Sequence, residues 1–299
     1  MLCHFVRGDR TVQANKRNVS FAFMRPSKNI NFDDNTKVVV HPSRAKMLPK
    51  TTRLGRSSSL GVGSGGNGTW STFGRRLLRP KQMDFELALW LMLQLCVAPK
   101  RAYLQTAYRT ETKDRWSRDD PAYFALLSLF LVASSTGYCV TFGRGFGKSV
   151  WIVVYVWLVD FVAIGATIAT AGWLLSNRVL RKRSLPAHVT EQFVEWLYAF
   201  DVHCNAFFPL FLLLHVGQFL LSPVLLTKGF VATVISNALY ALALSYYHYL
   251  TFLGYATLPF LERTEVFLYP VGLILLAVPF SILSKFNPAW YTISLYFGR

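Results

Sequence analysis

Residues 198–221, YAFDVHCNAFFPLFLLLHVGQFLL, decide the fold: a polar entrance holding Asp201, His203 and Asn205 runs straight into an apolar segment that contains His215. From 202 to 221 there are twenty residues whose only ionisable side chains besides a cysteine are histidines, and about twenty helical residues cross the hydrocarbon core of a bilayer. The stretch is therefore predicted to span a membrane. Two comparable segments precede it and two follow, giving spans near 121–141, 150–175, 199–221, 230–253 and 266–283. The fold class this predicts is an all-α membrane protein with five transmembrane helices.

Composition agrees. Hydrophobic residues make up 53% of the 299, aromatics 15%, and the formal charge is +17. That charge is uneven: residues 1–120 carry +13 and residues 121–299 only +4, so the two parts are built for different solvents. A basic segment of this kind attracts anionic surfaces, either a lipid leaflet or nucleic acid. The cysteines Cys3, Cys96, Cys139 and Cys204 are far apart and form no CxxC or Cys/His ligand pattern, which signals neither a disulfide framework nor a zinc module. No apolar run occupies the first thirty residues, so insertion is expected to begin at an internal span.

In chain order, residues 1–74 are sparse in apolar side chains and end in a Gly/Ser tract, the composition of a disordered basic tail. The tail is Arg-rich like a transit peptide, but Asp33-Asp34 and the multi-span body argue against one. Residues 75–120 form the next unit. The run MDFELALWLMLQLCV, 83–97, has Asp84 and Glu86 in its first turn and Pro99 as its stop, which predicts a helix too short to span. Its basic flanks place it in the cytosolic interface, with packing on the bundle as the alternative. A second amphipathic piece follows over 102–116, and Asp120 before Pro121 is the expected N-cap of the first span. The transmembrane domain is 121–285, and 286–299 a short tail.

Nine basic residues in the loops at one end of the spans face five at the other, which by the positive-inside rule puts the N-terminus in the cytosol and the C-terminus in the lumen. The cytosolic docking candidates are Arg115 and Arg118 before the first span, and Arg178, Arg181, Lys182 and Arg183 after the second.

Ionisable groups at membrane depth are costly and mark function or structure. Asp160 sits within the second span; in the third, Asp201, Asn205 and His215 project near one face while His203 points away. Together these five form a candidate intramembrane polar cluster for a proton, an ion or a headgroup. The structural alternative is hydrogen bonding between helices, assisted by the small stripe Gly165, Ala169, Gly172 that allows close approach. No HExxH or GxSxG motif is present, and no second histidine stands four residues from His203 or His215.

The blocks RPKQMDFELALWLMLQL (79–95), TKDRWSRDDPAYFALLSL (112–129), WLLSN (173–177), VEWLYAFDVHCNAFFPLFLLLH (194–215) and TFLGYATLPFL (251–261) resemble the Unc-fifty (uncoordinated-fifty) family. The resemblance implies a five-span Golgi membrane protein, found also at the inner nuclear membrane or endoplasmic reticulum, with a cytosolic N-terminus and a role in vesicular trafficking. It implies recruitment of an Arf guanine-nucleotide exchange factor, delivery of receptor cargo to the cell surface, and RNA binding. It brings no catalytic residue, metal or cofactor. The expectation is a non-enzymatic scaffold partnered by membrane lipids and trafficking proteins, against a membrane enzyme or transporter using Asp160, Asp201 and His215, or an RNA-binding membrane protein using residues 1–74.

Overall fold

The computed structural model describes residues 83–104, 116–118, 120–182, 192–227 and 229–298. Among these, five helices are long and apolar enough to cross a membrane: α2 (Ala122–Thr141), α3 (Phe146–Leu180), α4 (Trp196–Leu225), α5 (Phe230–Ala256) and α6 (Thr264–Leu283). A short apolar helix, α1 (Phe85–Val97), precedes them, and α7 (Pro288–Phe297) follows. This is an all-helical, multi-pass membrane protein, as the hydropathy pattern requires.

The helices α3 and α4 outrun their expected limits at both ends. Lys148 and Arg178 fall inside α3 but lie in its first and last turns, where a long side chain carries its charge out of the apolar layer. Both helices widen locally to π geometry, over Val156–Ala163 and Ser176–Leu180 in α3 and Leu212–Gly217 in α4. Just before the α4 bulge, Pro209 lacks the N–H that the Asn205 carbonyl would accept, so the regular ladder is already interrupted there.

One side of α1 packs on the bundle. Met92 and Leu95 are 1% and 0% exposed, and the Tyr246 hydroxyl of α5 donates to the Leu95 carbonyl at 2.8 Å. The chain turns at Ala98, and residues 99–104 are helical again, with Tyr103 buried against Gly254 of α5. The remainder of the second amphipathic piece lies outside the described residues, as does the tail of residues 1–74.

The helix α5 is the axis of the bundle, packed on α4, α6 and α7. Small residues set how closely its neighbours approach. A Cβ added at Gly254 would lie 2.8 Å from both Val202 methyls, one at Gly165 would run into the His203 ring, and one at Gly172 into the Tyr255 hydroxyl. The stripe Gly165, Ala169, Gly172 is buried as expected.

Residues 286–299, read from sequence as a tail, contain a packed helix. Ala289, Ile293 and Phe297 repeat at i, i+4 and i+8 and are buried, while Asn287 caps the helix by accepting from the Trp290 N–H at 3.0 Å. Ser236 and Asn237 of α5 complete the seam, the first accepting from the Ala289 N–H and the second donating to the Phe286 carbonyl, each at 2.9 Å.

Gly254→Leu forces Val202 and Tyr103 apart and is expected to destabilise the fold by about 1–3 kcal/mol, lowering the thermal midpoint in detergent. Gly137, where an added Cβ meets nothing within 4 Å, accepts alanine without loss in the same measurement.

Candidate functional site at the basic end of the bundle

At the end of the bundle where α2 begins and α3 finishes, the connections are knitted together by side chains that reach main chain. Arg118 is the centre. Its backbone N–H donates to the Asp201 carboxylate at 2.7 Å, its guanidinium donates to the Asn205 side-chain oxygen, and its Cζ lies 4.4 Å from the centre of the Tyr123 ring. Asp201 and Asn205 lie one turn apart on α4, so a single face presents both acceptors to one arginine. Beside them the buried Tyr103 phenol is pushed well above its usual range by burial, partly offset by Asn205 and Arg118.

Arg118, expected to dock partners from the surface, is thus turned inward and holds the connection before α2 onto α4. Its immediate neighbours do the same. Ser117 donates to Glu195 at 2.6 Å, and Trp116 packs edge-on against Tyr198 and Phe260. The N-cap expected at Asp120 falls one residue later, at Pro121, but the Asp120 carboxylate still serves the helix start: one oxygen accepts from the Ala122 N–H at 3.0 Å and the other from the Asp84 N–H at 2.9 Å. Pro121 takes the position before the first helical residue, and a single carboxylate joins the starts of α1 and α2.

Of the other docking candidates, Arg181 and Lys182 lie on a pinned stretch just after α3. Arg181 and Leu261 form an antiparallel bridge; the Lys182 N–H donates to the Phe260 carbonyl at 3.1 Å and the Glu262 N–H to the Leu180 carbonyl at 2.7 Å. The Lys182 ammonium donates to the Pro259 carbonyl at 2.8 Å, so part of its donor capacity is used within the protein. Asn177 clamps the segment before α4 by accepting from the Val194 N–H at 2.9 Å and donating to the Val194 carbonyl at 3.0 Å. Arg178, Val179 and Phe193 remain exposed on the segments so aligned. Arg115 and Arg183 lie outside the described residues.

The five intramembrane candidates settle in separate neighbourhoods. Asp201 and Asn205 hold Arg118. His203 accepts or donates through Nδ1 to the Tyr247 hydroxyl at 2.8 Å, on the side away from that pair, as its position predicts. Asp160 accepts from the Tyr296 hydroxyl of α7 at 2.7 Å. His215 stacks on Phe211 and lines a groove against α1 and α2. The expected single cluster is therefore corrected to separate contacts: Asp160 and His203 with neighbouring helices, Asp201 and Asn205 with the connection before α2, and His215 with Phe211 of its own helix. Fourteen residues bring Asp201 and His215 to similar angles but separate them by about 20 Å along the axis. Among the described residues no group of three His, Cys, Asp or Glu is placed to hold a metal.

Comparison with known proteins follows the same chain limits. The model of the UNC-50 family matches residues 73–297. The protein unc-50 homologs of Dictyostelium discoideum and Homo sapiens are each 44% identical, over 75% and 71% of this chain and 86% and 81% of their own. The unc-50 protein of Caenorhabditis elegans is 42% identical over 77% of this chain and 74% of its own.

The chain belongs to the UNC-50 family.

No solved structure matches it. In this UNC-50 family member the knit of the basic end falls largely within the sequence blocks that carried the resemblance: Trp116, Ser117, Arg118 and Asp120 in one, Asn177 in another, Glu195, Asp201 and Asn205 in a third. Sequence reasoning missed Ser117, Asn177 and Glu195 as positioning residues. Their signal was adjacency to span ends, where main-chain groups need side-chain partners.

Asn205→Leu leaves the Arg118 guanidinium without this acceptor and is expected to cost about 1–3 kcal/mol. The loss is read as a lowered thermal midpoint in detergent. Asn205→Asp, which retains the acceptor, restores most of it.

Proposed function

We propose that the protein is a non-catalytic scaffold of the Golgi membrane, whose basic end docks an Arf guanine-nucleotide exchange factor and anionic lipid in the trafficking of receptors to the cell surface. The trafficking role, the compartment and the exchange factor are what family membership implies. The observation that supports docking at this end is the exposed group Arg178, Val179 and Phe193, set on segments fixed by the Asn177 clamp and the Arg181–Leu261 bridge. A fixed surface with an exposed aromatic beside an arginine loses little side-chain freedom on association. Near an anionic leaflet each basic residue adds about 1 kcal/mol of attraction, weakened by salt.

The polar groups at membrane depth fit a scaffold as well, since Asp160, Asp201, His203 and Asn205 are engaged with partners on other segments, where they fix packing. A role for residues 1–74 in holding RNA falls outside the described residues and is tested by crosslinking after their deletion.

The double variant Arg178→Glu, Phe193→Ala is expected to insert normally and keep its thermal midpoint, while the fraction of exchange factor on Golgi membranes falls several-fold by fluorescence. Unchanged recruitment would remove this surface from the proposal. A cytosolic location for this end is checked by protease protection of a tag placed between residues 183 and 190.

A further inference from the structure

The seam between α2 and α4 opens into two cavities in line, at the half of the bundle away from Arg118. The deeper cavity, about 500 Å³, is walled by apolar side chains including Met92, Ala133, Phe211 and Phe219, and by Gly137 and His215. One turn further along both helices lies the second, about 850 Å³, lined by Thr141, Ser222 and Thr227 and by Arg144. Gly137 and Thr141 are four residues apart, as are Phe219 and Pro223, so each pair shares one helix face and the cavities continue one another. Tyr138 packs against residues of both linings: its ring stacks on Phe142 and Phe297 and meets Phe219 edge-on, and its hydroxyl donates to the His215 carbonyl at 3.0 Å.

The two ends of this seam have opposite chemistry. In the outer cavity the Arg144 Nε–H is buried and, among the described residues, has no acceptor. An arginine in such a place suits an anionic group, with the hydroxyls of Thr141 and Ser222 lining the same cavity. In the inner cavity an added Cβ at Gly137 meets nothing within 4 Å, so the space beside the helix is open. From Thr141 down to Phe130, the deepest α2 residue of the seam, is eleven residues, or about 16 Å of helix. That is one leaflet of a bilayer whose hydrocarbon is about 30 Å thick.

We propose that the α2–α4 seam is a binding site for one glycerophospholipid of the leaflet opposite the basic end, with its phosphate on Arg144 and an acyl chain along Gly137 toward His215. The charge of the outer cavity, the apolar lining of the inner one and their combined length match that amphiphile, and a bilayer supplies it. The site is independent of the docking reading, because it lies at the other end of the bundle and requires only that the bundle be in a membrane.

The test uses the full chain in nanodiscs of palmitoyl-oleoyl phosphatidylcholine doped with a phosphatidylcholine carrying a diazirine on its acyl chain. Photolysis is expected to concentrate label on peptides spanning 130–137 and 208–219. Gly137→Phe, which grows into open space and keeps the thermal midpoint, is expected to lower that label about tenfold. Native mass spectrometry of the detergent-solubilised chain should show retained phospholipid lost about tenfold in Arg144→Gln and kept in Arg144→Lys. Label spread evenly over the outer faces of all spans, including α6, would overturn the site, as would retention unchanged in both Gly137→Phe and Arg144→Gln. Displacement of the lipid by millimolar inorganic phosphate would reduce it to a phosphate site and overturn the phospholipid assignment.

Discussion

A polar group carried to membrane depth finds no water there, so it must be matched by another part of the same protein. This constraint organises the bundle. Asp160 is matched by Tyr296, His203 by Tyr247, and Asp201 and Asn205 by Arg118. Each match joins segments distant in sequence, and each fixes an angle or a depth that interchangeable apolar contacts would leave loose. The pair on Arg118 has the widest effect, because it draws the chain before α2 onto α4. With that chain come Ser117 on Glu195, Trp116 on Tyr198 and Phe260, and the carboxylate of Asp120 across the starts of two helices.

The two ends of the molecule consequently differ in kind. At the basic end the loops are bonded to one another through main chain, by the Arg181–Leu261 bridge and the Asn177 clamp, and the side chains left outside are held on a firm base. At the other end α7 folds back along α5 and the α2–α4 seam stays open, with a half-buried arginine at its mouth. One end is arranged as a platform and the other as a cleft.

The π segments contribute to this arrangement. Asp160 and His215 both sit on stretches where the helix widens, and a widened turn shifts the angular register of everything beyond it. An angular count along α4 on regular geometry carries the 201 and 205 face through to 215. In the folded chain His215 lies against Phe211 and the groove, well removed from Arg118 in depth as well.

The sequence by itself determined the number and type of the spanning helices, because a run of about twenty apolar residues has one stable form in hydrocarbon and its length is fixed by the membrane. It also determined which residues are chemically unusual, the family, and the position of His203 away from Asp201 and Asn205. Only the tertiary structure decided which of those residues meet. Periodicity gives an angle around one helix, whereas contact also needs a depth and a neighbour, and these come from how the helices pack. That is why Arg118, which reads as a surface charge among surface charges, is half-buried against α4, and why the packing of α1 on α5 is seen only in the folded chain. The helix at 288–297 was hidden for a related reason: ten residues are too few to signal a span, and their amphipathic face acquires meaning only against α5.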